Sequence, residues 1–119
     1  MFYDDRTCYY CGMPGDARDH VIPRSVLQTL ADTGIEINKS RIKIVPCCHE
    51  CNCLLGASFQ ETIAERKKYL KQRLRHKYRA ILKIPHWTEE EINELGYVLK
   101  QDLLCTLKKK EMLLLRLKW

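Results

Sequence analysis

Asp19, His20 and Asn52 are the residues whose types suit work on a phosphodiester. Asp19-His20 stands at the head of the apolar run Val21-Ile22, and Asn52 directly follows Cys51. A carboxylate and an amide oxygen are hard ligands that suit Mg²⁺, Mn²⁺ or another divalent ion. Neighbours on a strand point to opposite faces, so the His20 imidazole is left free to take a proton from water. A cation that neutralises developing charge and a base that activates water are what phosphodiester hydrolysis requires. Taken singly, His20 reads as a surface or core histidine and Asn52 as a helix cap.

Residues so far apart in sequence need something to gather them. Cys8-x-x-Cys11 is followed by Gly12, and Cys48-x-x-Cys51 by Asn52, with 36 residues between the pairs. Each pair can close a tight turn, and four thiolates at tetrahedral geometry form a closed structural site for Zn²⁺. The chain has seven cysteines and no recognisable export signal, which argues against a disulfide framework. Cys47 would break the symmetric spacing, so Cys48 is the expected ligand. His49 lies between the ligands and is the less favoured substitute for one. Cys53 and Cys105 read as small buried apolar residues.

The elements that position these residues follow from periodicity and breakers. A strand is expected over 19–22, ended by Pro23, then a short helix over 26–32 capped by Ser25 and ended near Gly34. Arg41-Ile42-Lys43-Ile44-Val45 alternates and predicts a second strand, ended by Pro46. From His49 the pattern is helical. Ile63, Leu70, Leu74 and Ile81 form a narrow stripe on a helix that Pro85 ends. Thr88-x-x-Glu91 is a capping box for a last helix to about Leu117, bent at Gly96, with Ile92, Leu95, Leu99, Leu103 and Leu107 as its stripe.

Cys8-x-x-Cys11, Asp19-His20-Val21-Ile22-Pro23-Arg24-Ser25, Val45-Pro46, Cys48-x-x-Cys51-Asn52 and Gly56 together resemble the four-cysteine branch of the HNH endonucleases, the ββα-metal or His-Me finger superfamily. The resemblance spans roughly residues 6 to 58. It implies an α+β fold: a zinc-stapled ββα-metal core over 1–58, with a basic helix and a C-terminal helical extension over 59–119 packed on it. It also implies DNA phosphodiester hydrolysis, with His20 as general base and Asp19 and Asn52 on one catalytic divalent ion. Cys8, Cys11, Cys48 and Cys51 would then hold structural zinc. The Cys-x-x-Cys-Asn junction is similar to the phage recombination endonuclease VII group. The sequence departs from the family at Lys43, where a bracing Asn is usual, and at Leu55, where a Lys often precedes the glycine. Asn38 is the other candidate for the brace.

The chain has 119 residues, enough for one domain, and its net charge of +6 is unevenly placed. Nine Lys or Arg and no acid lie between Arg66 and Lys83, while 15 acidic residues outnumber the remaining basic ones. So concentrated a field suits a polyanion, DNA first. Arg66, Lys67, Lys71, Arg73, Arg75, Lys77 and Arg79 are the expected phosphate contacts of that segment, with Arg24 and Lys43 from the core. Such contacts position DNA without reading its sequence. No apolar run reaches the roughly 20 residues of a membrane span, so a cytoplasmic protein with no membrane partner is expected. The leucine-rich C-terminal helix either packs back on Leu70 and Leu74 or forms a homodimer interface. Two rival readings remain: a catalytically inactive zinc-ribbon DNA-binding protein, and a protein-interaction or inhibitor module using the leucine tail.

Overall fold

Two short strands, β1 (Ala17–His20) and β2 (Ile44–Cys47), pair antiparallel, with Asp19 opposite Val45 and Ala17 opposite Cys47. The structure is a computed structural model that describes residues 6–22, 24–35 and 44–119, without the side chains of 24–26. Helix α1 (Arg24–Asp32) comes between the strands in sequence, and α2 (His49–Leu55) follows β2 at once. Then come α3 (Ile63–Lys77), α4 (Arg79–Leu82), α5 (Glu89–Asn93) and α6 (Tyr97–Lys118). The fold is α+β, with one two-stranded sheet and a helical remainder. Pro23, Asn38, the first residues of the expected second strand (41–43, with Lys43) and the Ser25 and Arg24 side chains lie outside what is described.

The sheet corrects two expected boundaries. β1 is shifted two residues toward the N-terminus, and Pro46 lies within β2 opposite Arg18 instead of ending it. Proline lacks only the donor. Its carbonyl accepts from the Tyr9 N–H at 2.9 Å, so the first cysteine turn is tied to β2 beyond the sheet register.

The core is built where the cysteine turns meet α2 and α3. Cys8, Tyr10, Cys11, Cys47, Cys48, Cys51, Leu55, Leu70 and Leu74 form one buried cluster, against which Leu117 packs. Thr62 caps α3 by accepting from the Glu65 N–H at 3.1 Å. The expected helix to Pro85 is interrupted at Tyr78, whose φ of −107° and ψ of 23° separate α3 from α4. The capping box at Thr88 and Glu91 forms as its residue types require.

The expected last helix is two helices. Gly96 takes an extended ψ of 158° and caps α6 instead of bending a continuous rod. The expected apolar stripe is largely kept: Ile92, Leu95, Leu103 and Leu107 are half-buried and Leu99 is exposed, while the residues that reach the core are Leu113, which is buried, and Leu117, which packs on it. The molecule measures 66 Å along its long axis and 20 Å along its short one. The buried and core-packed residues of α6 therefore belong to its C-terminal turns. Among the described residues, no helix is long and apolar enough to cross a membrane.

One glycine is required for two reasons. Gly12 has φ +77°, and a Cβ there would lie 2.6 Å from the Trp119 ring, which closes over the first turn with its indole N–H on the Tyr9 carbonyl. Gly12→Ala is expected to lose about 1–3 kcal/mol from the left-handed backbone, with the clash in addition. Thermal melting of the zinc-loaded protein checks this, and an unchanged midpoint would refute it.

Candidate metal centre and the buried Asp19 pair

The two cysteine turns close on each other. The first is a small hairpin in which the Cys8 N–H donates to Met13 O at 2.7 Å and the Gly12 N–H to Cys8 O at 3.0 Å. The second is the start of α2. Cys48 is its N-cap, and the Cys51 N–H points at the Cys48 Sγ at 3.5 Å. The sulfurs of Cys8, Cys11, Cys48 and Cys51 all lie within 4.8 Å of one another, and all four residues are buried. Zn–S bonds of about 2.3 Å give a tetrahedron with S···S edges of about 3.8 Å. The Cys11 and Cys48 sulfurs stand 3.7 Å apart. Donor type, spacing and enclosure all fit zinc.

The electrostatics of the cluster point the same way. The contact with Cys11 brings Cys8 down to about 6, and that with Cys48 brings Cys11 down to about 6. The contact with Cys11 pushes Cys51 well up. Thiols crowded this way share protons unequally, and a cation resolves the crowding by binding thiolates. Cys47 is different: burial pushes its thiol up to about 12, and it stays a neutral core residue beside the ligands.

Arg116 of α6 reaches the same centre. Its guanidinium lies 4.0 Å from the Cys51 sulfur and 2.6 Å from Glu50 Oε1. Glu50 also takes Lys77 at 2.6 Å and the Tyr78 hydroxyl. Despite the desolvation of burial, these cationic and hydroxyl partners hold the Glu50 carboxyl at about 2. One acid of α2 thus gathers the end of α3 and the end of α6. Sequence reasoning missed Arg116 because no local pattern links a C-terminal Arg to a turn 65 residues away.

Some sequence-expected residues come together and others do not. Asp19 and His20 are adjacent on β1, and α2, which carries Asn52, packs on that strand. His20 and Asn52 are half-buried, and neither side chain has a hydrogen bond among the described residues. Asp19 is 3 % exposed, and its carboxylate is already engaged. Arg66 Nη2 donates to Oδ1 at 2.7 Å and Nε to Oδ2 at 2.7 Å, a bidentate pair, and the Tyr10 hydroxyl also donates to Oδ2. Burial and the Asp19 carboxylate push the Tyr10 phenol well above its ordinary value, which keeps it the donor. Arg66 completes its contacts on Ser58 O at 2.7 Å and Gln60 Oε1 at 3.0 Å.

This pair bears on two expectations. Arg66 was expected on DNA phosphates, but at 1 % exposure it is a core residue, because its position falls on the buried face of α3 with Leu70 and Leu74. Asp19 was expected to share a divalent ion with Asn52, and its carboxylate is here taken up by Arg66 and Tyr10, which does not fit a cation at the same oxygens. The carboxylate's charge is matched by a guanidinium, and like charges about 4 Å apart repel by roughly 4 kcal/mol per unit charge product near a protein surface. One lesser expectation falls, since Cys53 and Cys105 are exposed, while His49, the less favoured substitute ligand, stands outside the four-cysteine group with its Nε2 3.4 Å from the Cys53 Sγ.

The remaining basic residues divide by face. Lys67, Lys68, Lys71 and Arg75 line a groove of about 440 Å³ along α3 with Ala64 and Gln72. Burial, then Lys67 and Arg75, push Lys71 below its ordinary value, the mark of cations crowded on one face. Arg73 is exposed on another face, Lys77 is held by Glu50, and Arg79 contacts His76. No family model, curated protein or solved structure matches the chain.

Proposed function

We propose that this chain is a DNA endonuclease of the ββα-metal type, with His20 as the base that takes a proton from the attacking water. The observation that carries the reading is the four-thiol cluster. It joins the turn before β1 to the first turn of α2, so the strand bearing His20 and the helix bearing Asn52 share one small framework. The antiparallel pair of β1 and β2, followed at once by α2, supports the ββα assignment, with α1 lying in the connection between the strands. The crowded lysines and arginine on α3 support a polyanionic partner, since side chains that repel one another gain from a phosphate between them.

The chain's own residues divide the work. The α3 groove holds the backbone by charge, which makes binding salt-dependent and insensitive to sequence. As general base, the His20 imidazole accepts the proton of the water that attacks phosphorus, while the bond from phosphorus to the leaving ester oxygen breaks and that oxygen takes a proton from solvent. Exposed Tyr97, Val98 and Leu99 on α6 support association of two copies through that helix.

A second reading has its own observation. Arg66 takes up the carboxylate of Asp19, the residue before His20, which favours a zinc-stapled protein that binds DNA without cutting it. Plasmid nicking with Mg²⁺ or Mn²⁺ separates the two. On the first reading the wild type nicks, and His20→Ala loses at least about a hundredfold in rate while binding DNA equally well. Equal binding with no cutting by either protein would leave only the second reading.

A further inference from the structure

Asp19 precedes the proposed base on β1, and the partner of its carboxylate is an arginine. The guanidinium matches that carboxylate with two hydrogen bonds, both 2.7 Å, and is itself buried and anchored on Ser58 and Gln60. The segment that delivers it begins α3, the same helix whose opposite face carries the basic groove. We infer that the Arg66 guanidinium and a divalent cation compete for the Asp19 carboxylate, so that a cation binds at Asp19 only when Arg66 is withdrawn. This rests on the nuclease reading for its purpose and on the pair's geometry for its substance.

The physical case is one of exclusion. A carboxylate whose two oxygens already accept from guanidinium and phenol has little lone-pair capacity left for a hard cation. A second positive charge must also enter a pocket where the first is fixed by carbonyl and amide oxygens.

The test uses the zinc-loaded full chain and Mn²⁺ alone, with free Mn²⁺ followed by its electron paramagnetic resonance signal. Arg66→Gln removes the competing charge. Arg66→Lys keeps the charge, but a single ammonium releases one carboxylate oxygen, so it serves where the glutamine variant does not fold. Each is expected to take up one Mn²⁺ at least about tenfold more tightly than the wild type. Adding Asp19→Asn to either is expected to abolish the gain. Variants no tighter than the wild type, or a gain that survives Asp19→Asn, would overturn the inference. In the wild type, the Arg66 Nε–H resonance adds an independent reading. Mn²⁺ that saturates the protein while Asp19 and Arg66 stay paired also overturns it. If the variants gain Mn²⁺ and none of them nicks DNA, the competition stands and the nuclease reading fails.

Discussion

Stripping the metal from the four-cysteine centre is expected to unfold the N-terminal half of the chain, and Cys48→Ser to do the same at any metal concentration. The reason lies in what that half has to bury. Of the nine residues of the core cluster, five are cysteines, and outside α3 only Tyr10 and Leu55 are large. A two-stranded sheet of four-residue strands is marginal by itself. A metal bound by the four thiols would supply what apolar burial does not, on the order of ten kcal/mol for a structural zinc in a small module. Loss of amide dispersion for residues 6–58 on adding a chelator, with the helical signal of α6 partly retained, is the expected readout. A Cys48→Ser protein with native spectra would refute it. The direction with pH follows from the same chemistry. Zinc takes thiolates, so acid that protonates them releases the metal and the fold with it.

Removing one member of the Asp19–Arg66 pair is expected to have the next largest effect. Asp19→Ala leaves a guanidinium at 1 % exposure without its counter-charge, and breaking a buried pair in this way costs about 3–5 kcal/mol. It also strips the Tyr10 hydroxyl of its acceptor. Asp19→Leu combined with Arg66→Met is expected to regain much of that loss, since well-packed apolar replacements of buried pairs are often near neutral. Urea unfolding of the two single variants and the double variant checks it. A double variant as unstable as the sum of the singles would show that the pair does not act as a unit.

These two expectations rest on features with different visibility in the sequence. The four-cysteine cluster was legible because its spacing is local: each Cys-x-x-Cys closes its own turn, and only the joining of the turns is long-range. The capping box at Thr88 was legible for the same reason. The boundaries of β1 and β2 were not, because the pairing of Pro46 with Arg18 depends on Tyr9, which donates to the Pro46 carbonyl from outside the sheet. Periodicity placed Ile63, Leu70 and Leu74 on one face, and the same arithmetic places Arg66 there. Charge counting alone set it on the DNA side. A basic residue on a buried stripe requires a carboxylate partner, and Asp19 is the buried acid of the described residues. The stripe of Ile92, Leu95, Leu103 and Leu107 was legible in its spacing, but apolar residues occur all round α6, so spacing alone could not say that Leu113 and Leu117 are the ones that meet the core.

The most direct measurement of the account is the metal content and thiol reactivity of the folded chain, by native mass spectrometry before and after alkylation. The account predicts one zinc ion per chain. Cys8, Cys11, Cys48 and Cys51 should be protected until a chelator is added, while exposed Cys53 and Cys105 react at once. A folded chain that carries no metal, with those four thiols as reactive as Cys53, would contradict it.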